Sequence, residues 1–398
     1  MTAVHGDILD IEGWAAKADY PLARKALEFL SSLPEEYEVA DALRIGLDRV
    51  QKLRARGLLM ADARNVDLVS HIWFEESRGP QNLISQVFFL KSQTGDILGD
   101  EPEWLRGMEG LSFVSRFETG GRNCLFDFSG YGEGLHIKEP CAFLGSSNNW
   151  GHQICDNLPR LLVLDSLGFP KNGKLVTGIL SPMFLQLYEA LGISRDRLLV
   201  IDHEAKSHAV HRFDHLFVPA DPSPDAGYAF LRERIYGRRK TESGLKPGSG
   251  NIYFSRRSQA GRGRISNQDE VEAYFQDRGF AVIDPTDLSV LQLLDRLEHA
   301  RIVAAQFGAA LGNQVLAPAS SVMLNLFPPL YFSPIVPANV AAYWRSLYIP
   351  FLDRCVFALG KPETPDIGPD LLKAMDMPHR YDPRVLDQAL KQGLRLAS

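Results

Sequence analysis

His152 and Asp156 are the residues whose types and spacing best suit proton transfer. They lie four residues apart in the polar segment 149–160. On a helix this spacing places both side chains on one face, where a carboxylate can tune an imidazole and one of the two can take a proton from a hydroxyl group. The alternative is an ordinary polar face at a helix N-terminus. Pro159 is expected to bend or interrupt such a helix.

Four arginines follow an apolar segment that ends at Ser255. They are Arg256, Arg257, Arg262 and Arg264, and Asn267 comes shortly after them. A guanidinium group can pair with two phosphate oxygens at once, so this cluster suits a diphosphate. The alternative is a solvated surface loop, as most runs of charge are.

A turn of small residues follows the predicted strand 301–305. The turn comprises Gly308, Ala309, Ala310, Leu311, Gly312 and Asn313. Small residues let a ligand approach the backbone closely, and the N–H groups at the start of a following helix favour a pyrophosphate. The alternative is a turn whose small residues serve packing alone.

Histidines and carboxylates are concentrated between residues 202 and 215. They are Asp202, His203, Glu204, His208, His211, Asp214 and His215. A metal site is one interpretation, but the spacing fits no recognised set of zinc ligands. We therefore predict a polar loop facing the active-site cleft, and no metal.

Composition and length narrow the class of protein. The 398 residues are 45% hydrophobic and carry a net charge of −6, which is typical of a globular protein with about two domains and not of a nucleic-acid-binding one. The four cysteines form no CxxC pair, and no apolar run resembles a signal peptide or a membrane span. We expect a cytoplasmic protein.

Helix and strand patterns alternate after residue 149, which predicts parallel sheets covered by helices. The predicted helices lie at 150–167, 182–191, 268–278 and 290–298, and the predicted strands at 174–179, 198–201, 215–218, 252–255, 280–283 and 301–305. Residues 10–58 show the periodicity of a helical hairpin, and residues 67–141 are predicted to be rich in strands.

Taken in order, these segments resemble glycosyltransferase family 61 over roughly residues 140–330. The first family motif is matched by Asn149, His152, Asp156, Leu158 and Pro159. The second is matched by Tyr253, Ser255, Arg256, Arg257, Arg264, Asn267 and Glu270, and the third by Gly308, Ala309, Leu311 and Asn313.

The resemblance implies an α/β fold of the GT-B type, with two facing Rossmann-like domains and the reaction in the cleft between them. The expected organisation is a helical hairpin extension at 1–60, an acceptor-side domain at 61–240, a nucleotide-sugar-binding domain at 241–360 and C-terminal helices packing back at 361–398.

The resemblance also implies an inverting, metal-independent transfer of a sugar from a nucleoside-diphosphate donor, with a UDP sugar expected on family precedent. The acceptor would be a hydroxyl of a glycan or glycolipid in surface or capsular polysaccharide biosynthesis, at the inner face of the membrane or in the cytoplasm. The nucleotide sugar is a co-substrate, and no further cofactor is expected.

The resemblance assigns roles to the site residues. His152 or Asp156 would act as the base, with Asn149 orienting the pair. The expected donor-binding residues are Arg256, Arg257, Arg264, Asn267, Gly308, Ala309, Ala310, Leu311 and Asn313, of which 308–311 would supply backbone donors.

Three positions depart from the family pattern. Phe307 stands where the family usually has a histidine, Asn325 where it has a glutamate, and Leu291-Gln292 where it has a Glu-Gln pair. Two alternatives follow from the sequence: an inactive relative that binds a nucleotide or sugar, and a scaffold that docks a protein partner through residues 10–58.

Overall fold

The structure of the protein is a computed structural model, which describes residues 48–55, 57–74, 83–91, 97–98, 114–117, 124–126, 132–145, 149–178, 180–201, 209–238, 250–257, 265–328, 347–363 and 378–398. The chain forms two compact units. The first unit spans Leu58–Pro222, and the second comprises Ser223–Ser398 with the described residues before Leu58. None of the helices within these ranges is long and apolar enough to span a membrane.

The first unit contains a mixed eight-stranded sheet. Its strands are β1 (Met60–Phe74), β2 (Leu83–Lys91), β3 (Ile97–Leu98), β6 (Gly132–Ile137), β7 (Cys141–Gly145), β8 (Lys174–Thr177), β9 (Leu198–Val200) and β10 (Ala209–Pro219), and a separate hairpin pairs β4 (Val114–Phe117) with β5 (Cys124–Phe126). The order is β3-β2-β1-β10-β7-β8-β9, with β6 also pairing with β10. Strands β10, β7, β8 and β9 run parallel, whereas β1 pairs with β10 and β2 in antiparallel fashion.

Helices connect the parallel strands of the first unit. They lie at Trp150–His152, Arg160–Ser166 and Pro182–Ala190, with a π-helical segment at Gln153–Asn157 and a 3-10 turn at Arg195–Arg197. The β7 strand is buried along its whole length, as expected of a strand covered on both faces. The core of the first unit includes Cys141, Phe143, Val176, Phe213 and Leu216.

Strand β10 is much longer than the predicted strand 215–218. It begins at Ala209, and its burial largely alternates along the strand. Two buried histidines, His211 and His215, occupy positions where the sequence pattern required apolar residues. The predicted polar loop is therefore wrong for residues 209–214, because imidazoles with hydrogen-bonding partners can lie on the buried face of a strand.

The second unit contains a five-stranded, wholly parallel sheet. Its strands are β11 (Gly250–Phe254), β12 (Phe280–Ile283), β13 (Ala300–Gln306), β14 (Val322–Phe327) and β15 (Cys355–Leu359), in the order β12-β11-β13-β14-β15. A small ladder pairs β16 (Lys361–Pro362) with β17 (His379–Arg380). The helices lie at 48–55, Pro224–Tyr236, Gln268–Gln276, Val290–Glu298, Leu311–Leu316 and Pro383–Leu396, with 3-10 turns at Pro285–Asp287 and Ile349–Arg354.

Helices pack on this sheet through apolar faces. The C-terminal helix Pro383–Leu396 lies against β14 and β15, where Leu386, Ala389 and Leu390 join the core. Tyr236 donates a hydrogen bond to the Leu316 carbonyl, which joins two helices of the same unit. The structure thus confirms a mixed α/β protein with parallel sheets. Of the predicted hairpin over 10–58, only residues 48–55 and 57–58 are described, and 48–55 are helical.

Candidate active site

The helix that carries His152 begins at Trp150, shortly after β7 ends at Gly145, so it lies beyond the carboxyl end of a strand, where open parallel sheets bind ligands. Asn149 caps its N-terminus, and the Asn149 Oδ1 atom accepts the His152 backbone N–H at 3.3 Å. The helix then widens into the π-helical segment, where the Leu158 N–H donates to the Gln153 carbonyl at 2.9 Å. The helix resumes after Pro159, so the predicted interruption takes the form of this wider turn. Such π-helical turns occur often at functional sites.

His152 and Asp156 form a hydrogen-bonded pair. The Nδ1 atom of His152 lies 2.7 Å from Oδ2 of Asp156, and the two side chains are 36% and 22% exposed. Since an ionised carboxylate only accepts, Nδ1 carries the proton and the neutral imidazole keeps its lone pair on Nε2. Burial disfavours the charged imidazole, but the hydrogen bond and charge of Asp156 outweigh it and raise the pKa of His152. The arrangement can therefore accept a proton at Nε2.

Gly145, at the end of β7, lets polar side chains approach the strand. Its φ is 96°, and a Cβ added there would lie 2.5 Å from Asn157 Oδ1 and 2.8 Å from Arg160 Nη1. Arg160 Nη1 donates to the Leu144 carbonyl at 3.1 Å, and Arg160 Nε donates to Asp221 Oδ1 at 2.8 Å. Asp221 follows β10, which runs parallel to β7, so Arg160 joins the carboxyl ends of two neighbouring strands.

Sequence reasoning assigned no role to Gly145, Arg160 or Asp221. One available signal was the acidic residue two positions beyond the end of a strand, where parallel sheets collect functional side chains. The predicted strand 215–218 ends one residue before β10 does, but nothing in the local pattern connected Asp221 with Arg160. The sheet order supplies that connection.

The histidines at 211 and 215 do not come together as a metal centre. His211 Nδ1 accepts the Leu135 N–H at 3.1 Å, and His215 Nε2 lies 2.7 Å from Asp62 Oδ1. Asp214 instead lies 2.7 Å from His136. Across the described ranges no group of three His, Cys, Asp or Glu residues could hold a metal ion. The remaining members of the cluster, residues 202–208, lie outside those ranges.

In the second unit the structure brings Arg256 to the small-residue turn. Strands β11 and β13 are neighbours, so the residues that follow them meet at one edge. Arg256 Nη1 donates to the Phe307 carbonyl at 3.3 Å. Gly308 has a φ of 127°, and a Cβ there would lie 3.0 Å from the same nitrogen. A guanidinium group and a glycine turn thus lie side by side at the carboxyl edge of a parallel sheet, where phosphates commonly bind.

The helix predicted after this turn is short. It spans Leu311–Leu316, and Ala309 and Ala310 belong to the turn that precedes it. Asn313 is buried within the helix. Arg264, the remaining predicted phosphate ligand, lies outside the described residues.

Arg257 and Asn267 have partners within the protein. Arg257 Nη2 lies 2.6 Å from both Glu272 Oε2 and Asp269 Oδ1. The Asn267 side chain is buried, where its Nδ2 donates to the Tyr381 carbonyl and its Oδ1 accepts the Tyr381 N–H, both at 3.0 Å. These contacts fix the strand end and the C-terminal segment.

The residues that depart from the family pattern are also accounted for. Phe307 is buried, and its ring centroid lies 4.5 Å from that of Phe327. Asn325 is buried in β14 and donates to Cys355 Sγ at 3.1 Å. Gln292 forms a capping box with Ser289 at the start of the helix Val290–Glu298. Leu291 is exposed.

Comparison with known proteins gives a family match over part of the chain. The model of the family described as Glycosyltransferase 61 matches residues 150–324, a range that includes the His152 helix, the Arg256 strand end and the Gly308 turn. None of the curated proteins matches the chain.

Two solved structures show a weak likeness to the greater part of the chain. The bacterial iron-containing dodecameric glycosyltransferase TibC from enterotoxigenic E. coli is 10% identical, with 67% of this chain and 74% of that chain covered and a TM-score of 0.29. The dodecameric iron-containing heptosyltransferase TibC in complex with ADP-D-beta-D-heptose is 10% identical, with 86% and 93% covered and a TM-score of 0.34. At these TM-scores the likeness supports no conclusion about this chain.

Proposed function

We propose that this chain, whose residues 150–324 match the glycosyltransferase 61 family, is a glycosyltransferase that transfers a sugar from a nucleoside-diphosphate donor to a glycan hydroxyl by a single displacement. The observation that carries the proposal is the His152–Asp156 pair at 2.7 Å, because the carboxylate of Asp156 holds the proton on Nδ1 and so makes Nε2 the basic nitrogen of the imidazole.

In the proposed reaction, His152 Nε2 takes the proton of the acceptor hydroxyl as its oxygen attacks the anomeric carbon of the donor sugar. The bond from that carbon to the diphosphate oxygen breaks, and the electron pair leaves with the diphosphate. One displacement inverts the configuration of the anomeric carbon. Asp156 holds the imidazole in the required tautomer and stabilises the imidazolium ion that forms, and Asn149 fixes the start of the helix.

Arg256 is the side chain that we assign to the leaving diphosphate. Its position beside Gly308 supports this role, since a guanidinium group and backbone N–H groups of residues 308–311 would together offset the charge that develops on the leaving group. We propose that these protein groups take the place of a divalent cation. Arg264 and Asn313 stay in the proposed donor site.

We propose that the two units divide the work in the manner of a GT-B enzyme. The acceptor hydroxyl would be activated in the first unit, which holds His152, and the donor would bind to the second. The five-stranded parallel sheet of the second unit, with its turn of small residues after β13, supports a nucleotide-binding role. We also propose that the acceptors are intermediates of surface polysaccharide biosynthesis. The transfer would take place at the cytoplasmic face of the membrane.

The test is turnover of the full chain across a panel of nucleotide sugars with glycan and glycolipid acceptors, followed by mass spectrometry. UDP sugars come first, on the family resemblance. Proton NMR of the product gives the anomeric configuration, which should be opposite to that of the donor. A product that retains the donor configuration would rule out the single displacement while leaving sugar transfer intact.

A second candidate is a relative that binds the nucleotide but has lost activity. It is favoured by Phe307 and Asn325, because they place neither an imidazole nor a carboxylate where the family usually has a histidine and a glutamate. Both residues are buried, Phe307 against Phe327 and Asn325 against Cys355. Calorimetric binding of UDP without turnover on any donor would identify this case. The scaffold alternative concerns residues 10–58, and deletion of that segment with retention of transfer but loss of partner binding would support it.

A further inference from the structure

Glu272 belongs to none of the predicted motifs. From the helix Gln268–Gln276, its carboxylate contacts Ser255 and Arg257, the residues of the second motif that follow β11. We propose that Glu272 is a positioning residue for the diphosphate site: it holds Ser255 and Arg257 so that the residue between them, Arg256, is directed at the Gly308 turn. The inference rests on the proposed function, in which Arg256 binds the diphosphate.

The Glu272 carboxylate is surrounded by donors. Its side chain is 14% exposed. Oε1 accepts hydrogen bonds from Ser255 Oγ at 2.6 Å and Gln268 Nε2 at 2.8 Å, and Oε2 accepts from Arg257 Nη2 at 2.6 Å and Nε at 3.2 Å. A carboxylate this buried is tolerated when its oxygens are satisfied, and here both are.

These contacts restrain the chain on both sides of Arg256. Ser255 Oγ accepts the Arg257 backbone N–H at 3.1 Å while donating to Glu272, and the Ser255 N–H donates to the Ile283 carbonyl of β12 at 2.8 Å. The Arg257 side chain is held on the helix Gln268–Gln276, whereas the Arg256 side chain reaches the Phe307 carbonyl. The two adjacent arginines therefore have different partners: Arg256 contacts the Phe307 carbonyl and Arg257 contacts Glu272. The contacts of Glu272 hold the Arg257 side chain apart from that of Arg256.

The charges around Arg257 allow a test of the inference, because charge and positioning predict opposite changes in diphosphate affinity when Glu272 is replaced. Arg257 contacts two carboxylates, Glu272 and Asp269, so the three side chains together carry a net negative charge when ionised. Burial opposes ionisation of Glu272, but hydrogen bonds from Arg257, Ser255 and Gln268 outweigh it and lower its pKa, so the carboxylate is charged at neutral pH. By charge alone, removing either carboxylate should strengthen the binding of a diphosphate. A positioning role for Glu272 predicts the opposite for Glu272 only.

Asp269 provides the matched control. It contacts the same Arg257 nitrogen at 2.6 Å, but its side chain is 84% exposed. Glu272→Gln and Asp269→Asn each remove one negative charge beside Arg257, and only the first changes the group that holds Ser255 and Gln268. The experiment is calorimetric titration of the full chain with UDP, with ADP and GDP as further probes.

We expect Glu272→Gln to weaken UDP binding about 5- to 20-fold, the range for loss of contacts in a coupled network, and Asp269→Asn to leave it within about twofold or to strengthen it. Ser255→Ala should weaken binding in the same direction and less strongly, and it decides the question if Glu272→Gln does not fold. In the Arg256→Ala background, Glu272→Gln should add almost nothing, because its effect passes through Arg256; a general loss of folding would add in full.

Unchanged or stronger UDP binding by folded Glu272→Gln would overturn the positioning role and leave the proposed function standing. Full additivity with Arg256→Ala would overturn it as well. If the wild-type chain binds none of the nucleoside diphosphates, the proposed function and this inference both fail.

Discussion

His152 Nδ1 and Asp156 Oδ2 are 2.7 Å apart, across the junction between an α-helical turn and a π-helical segment. The contact fixes which imidazole nitrogen holds the proton. In the proposed reaction the opposite nitrogen, Nε2, takes the proton of the acceptor hydroxyl, and this assignment determines the predictions for the first unit.

The first prediction concerns turnover. His152→Ala and Asp156→Asn should each lower the catalytic rate by about 10²–10⁴-fold, the usual contribution of a positioned base, with little change in UDP binding. His136→Ala is the matched control, because His136 also lies 2.7 Å from a carboxylate, that of Asp214, on an exposed part of the same unit. Normal turnover by both site variants, with folding retained, would place the base elsewhere.

The second prediction concerns pH. Since the pKa of His152 is raised by Asp156, the wild-type rate should fall as the pH drops through a value above about 6.5, the ordinary histidine pKa. Asp156→Asn removes the cause of the increase and leaves burial, so the acid limb of its residual activity should move to lower pH. A limb near about pH 4 in the wild type would instead identify a carboxylate base.

The same shift affects stability, with a defined sign. A folded-state pKa above the unfolded value stabilises the protein fully below about pH 6.5, and this contribution is lost as the pH rises through the folded-state pKa. The free energy of unfolding should therefore differ more between wild type and Asp156→Asn at pH 6 than at pH 8.5. An equal difference at both values would mean that the pair is not coupled in solution.

The third prediction separates the two adjacent arginines. Arg256→Ala should weaken UDP binding by about 1.5–3 kcal/mol, the range for hydrogen bonds to charged groups, and Arg257→Ala by less, because its guanidinium group is held by Glu272 and Asp269. Arg278→Ala is the control, because Arg278 is paired with Asp387 and precedes β12. It therefore lies near the amino ends of the parallel strands, whereas Arg256 follows the carboxyl end of β11. If Arg257→Ala has the larger effect, the assignment of the two roles is reversed.

The fourth prediction concerns Gly145. Alanine at Gly145 or Gly168 should cost about 1–2 kcal/mol from positive φ alone, since φ is 96° and 80° respectively. At Gly145 the new Cβ also displaces Asn157 and Arg160, whereas nothing lies within 4 Å at Gly168. Denaturant unfolding should show Gly145→Ala to be less stable by about a further 1 kcal/mol, the value of one hydrogen bond. Equal losses would mean that the Arg160 contacts contribute nothing.

The fifth prediction concerns metal ions. If Arg256 and the Gly308 turn offset the diphosphate charge, transfer should continue in excess EDTA at an unchanged rate. The measurement is the initial rate before and after chelation, with manganese or magnesium added back. Loss of activity that either ion restores would contradict the metal-free mechanism and return attention to residues 202–208.

Local patterns predicted most of the elements that hold the site. The helix Val290–Glu298 and the strand Phe280–Ile283 have the predicted bounds, and His152 and Asp156 share a face as their spacing required. These features depend on hydrophobic periodicity and on i,i+4 neighbours within one segment, both of which can be read from consecutive residues.

The bounds of β10 could not be obtained in this way. Hydrophobic periodicity marks a strand only where apolar residues occupy the buried positions, and in β10 two of those positions hold His211 and His215. The π-helical turn before Pro159 was missed for a similar reason, since one extra residue in a turn leaves no mark on composition.

The sequence by itself determined the order of the three motifs, the pairing of His152 with Asp156 and the alternation of helices and parallel strands. Only the tertiary structure decided which partner each charged side chain has. Arg256 and Arg257 are neighbours in the chain, yet one reaches the Phe307 carbonyl and the other Glu272. That choice depends on β11 lying between β12 and β13, and the pairing of strands far apart in sequence is set by the packing of the whole sheet.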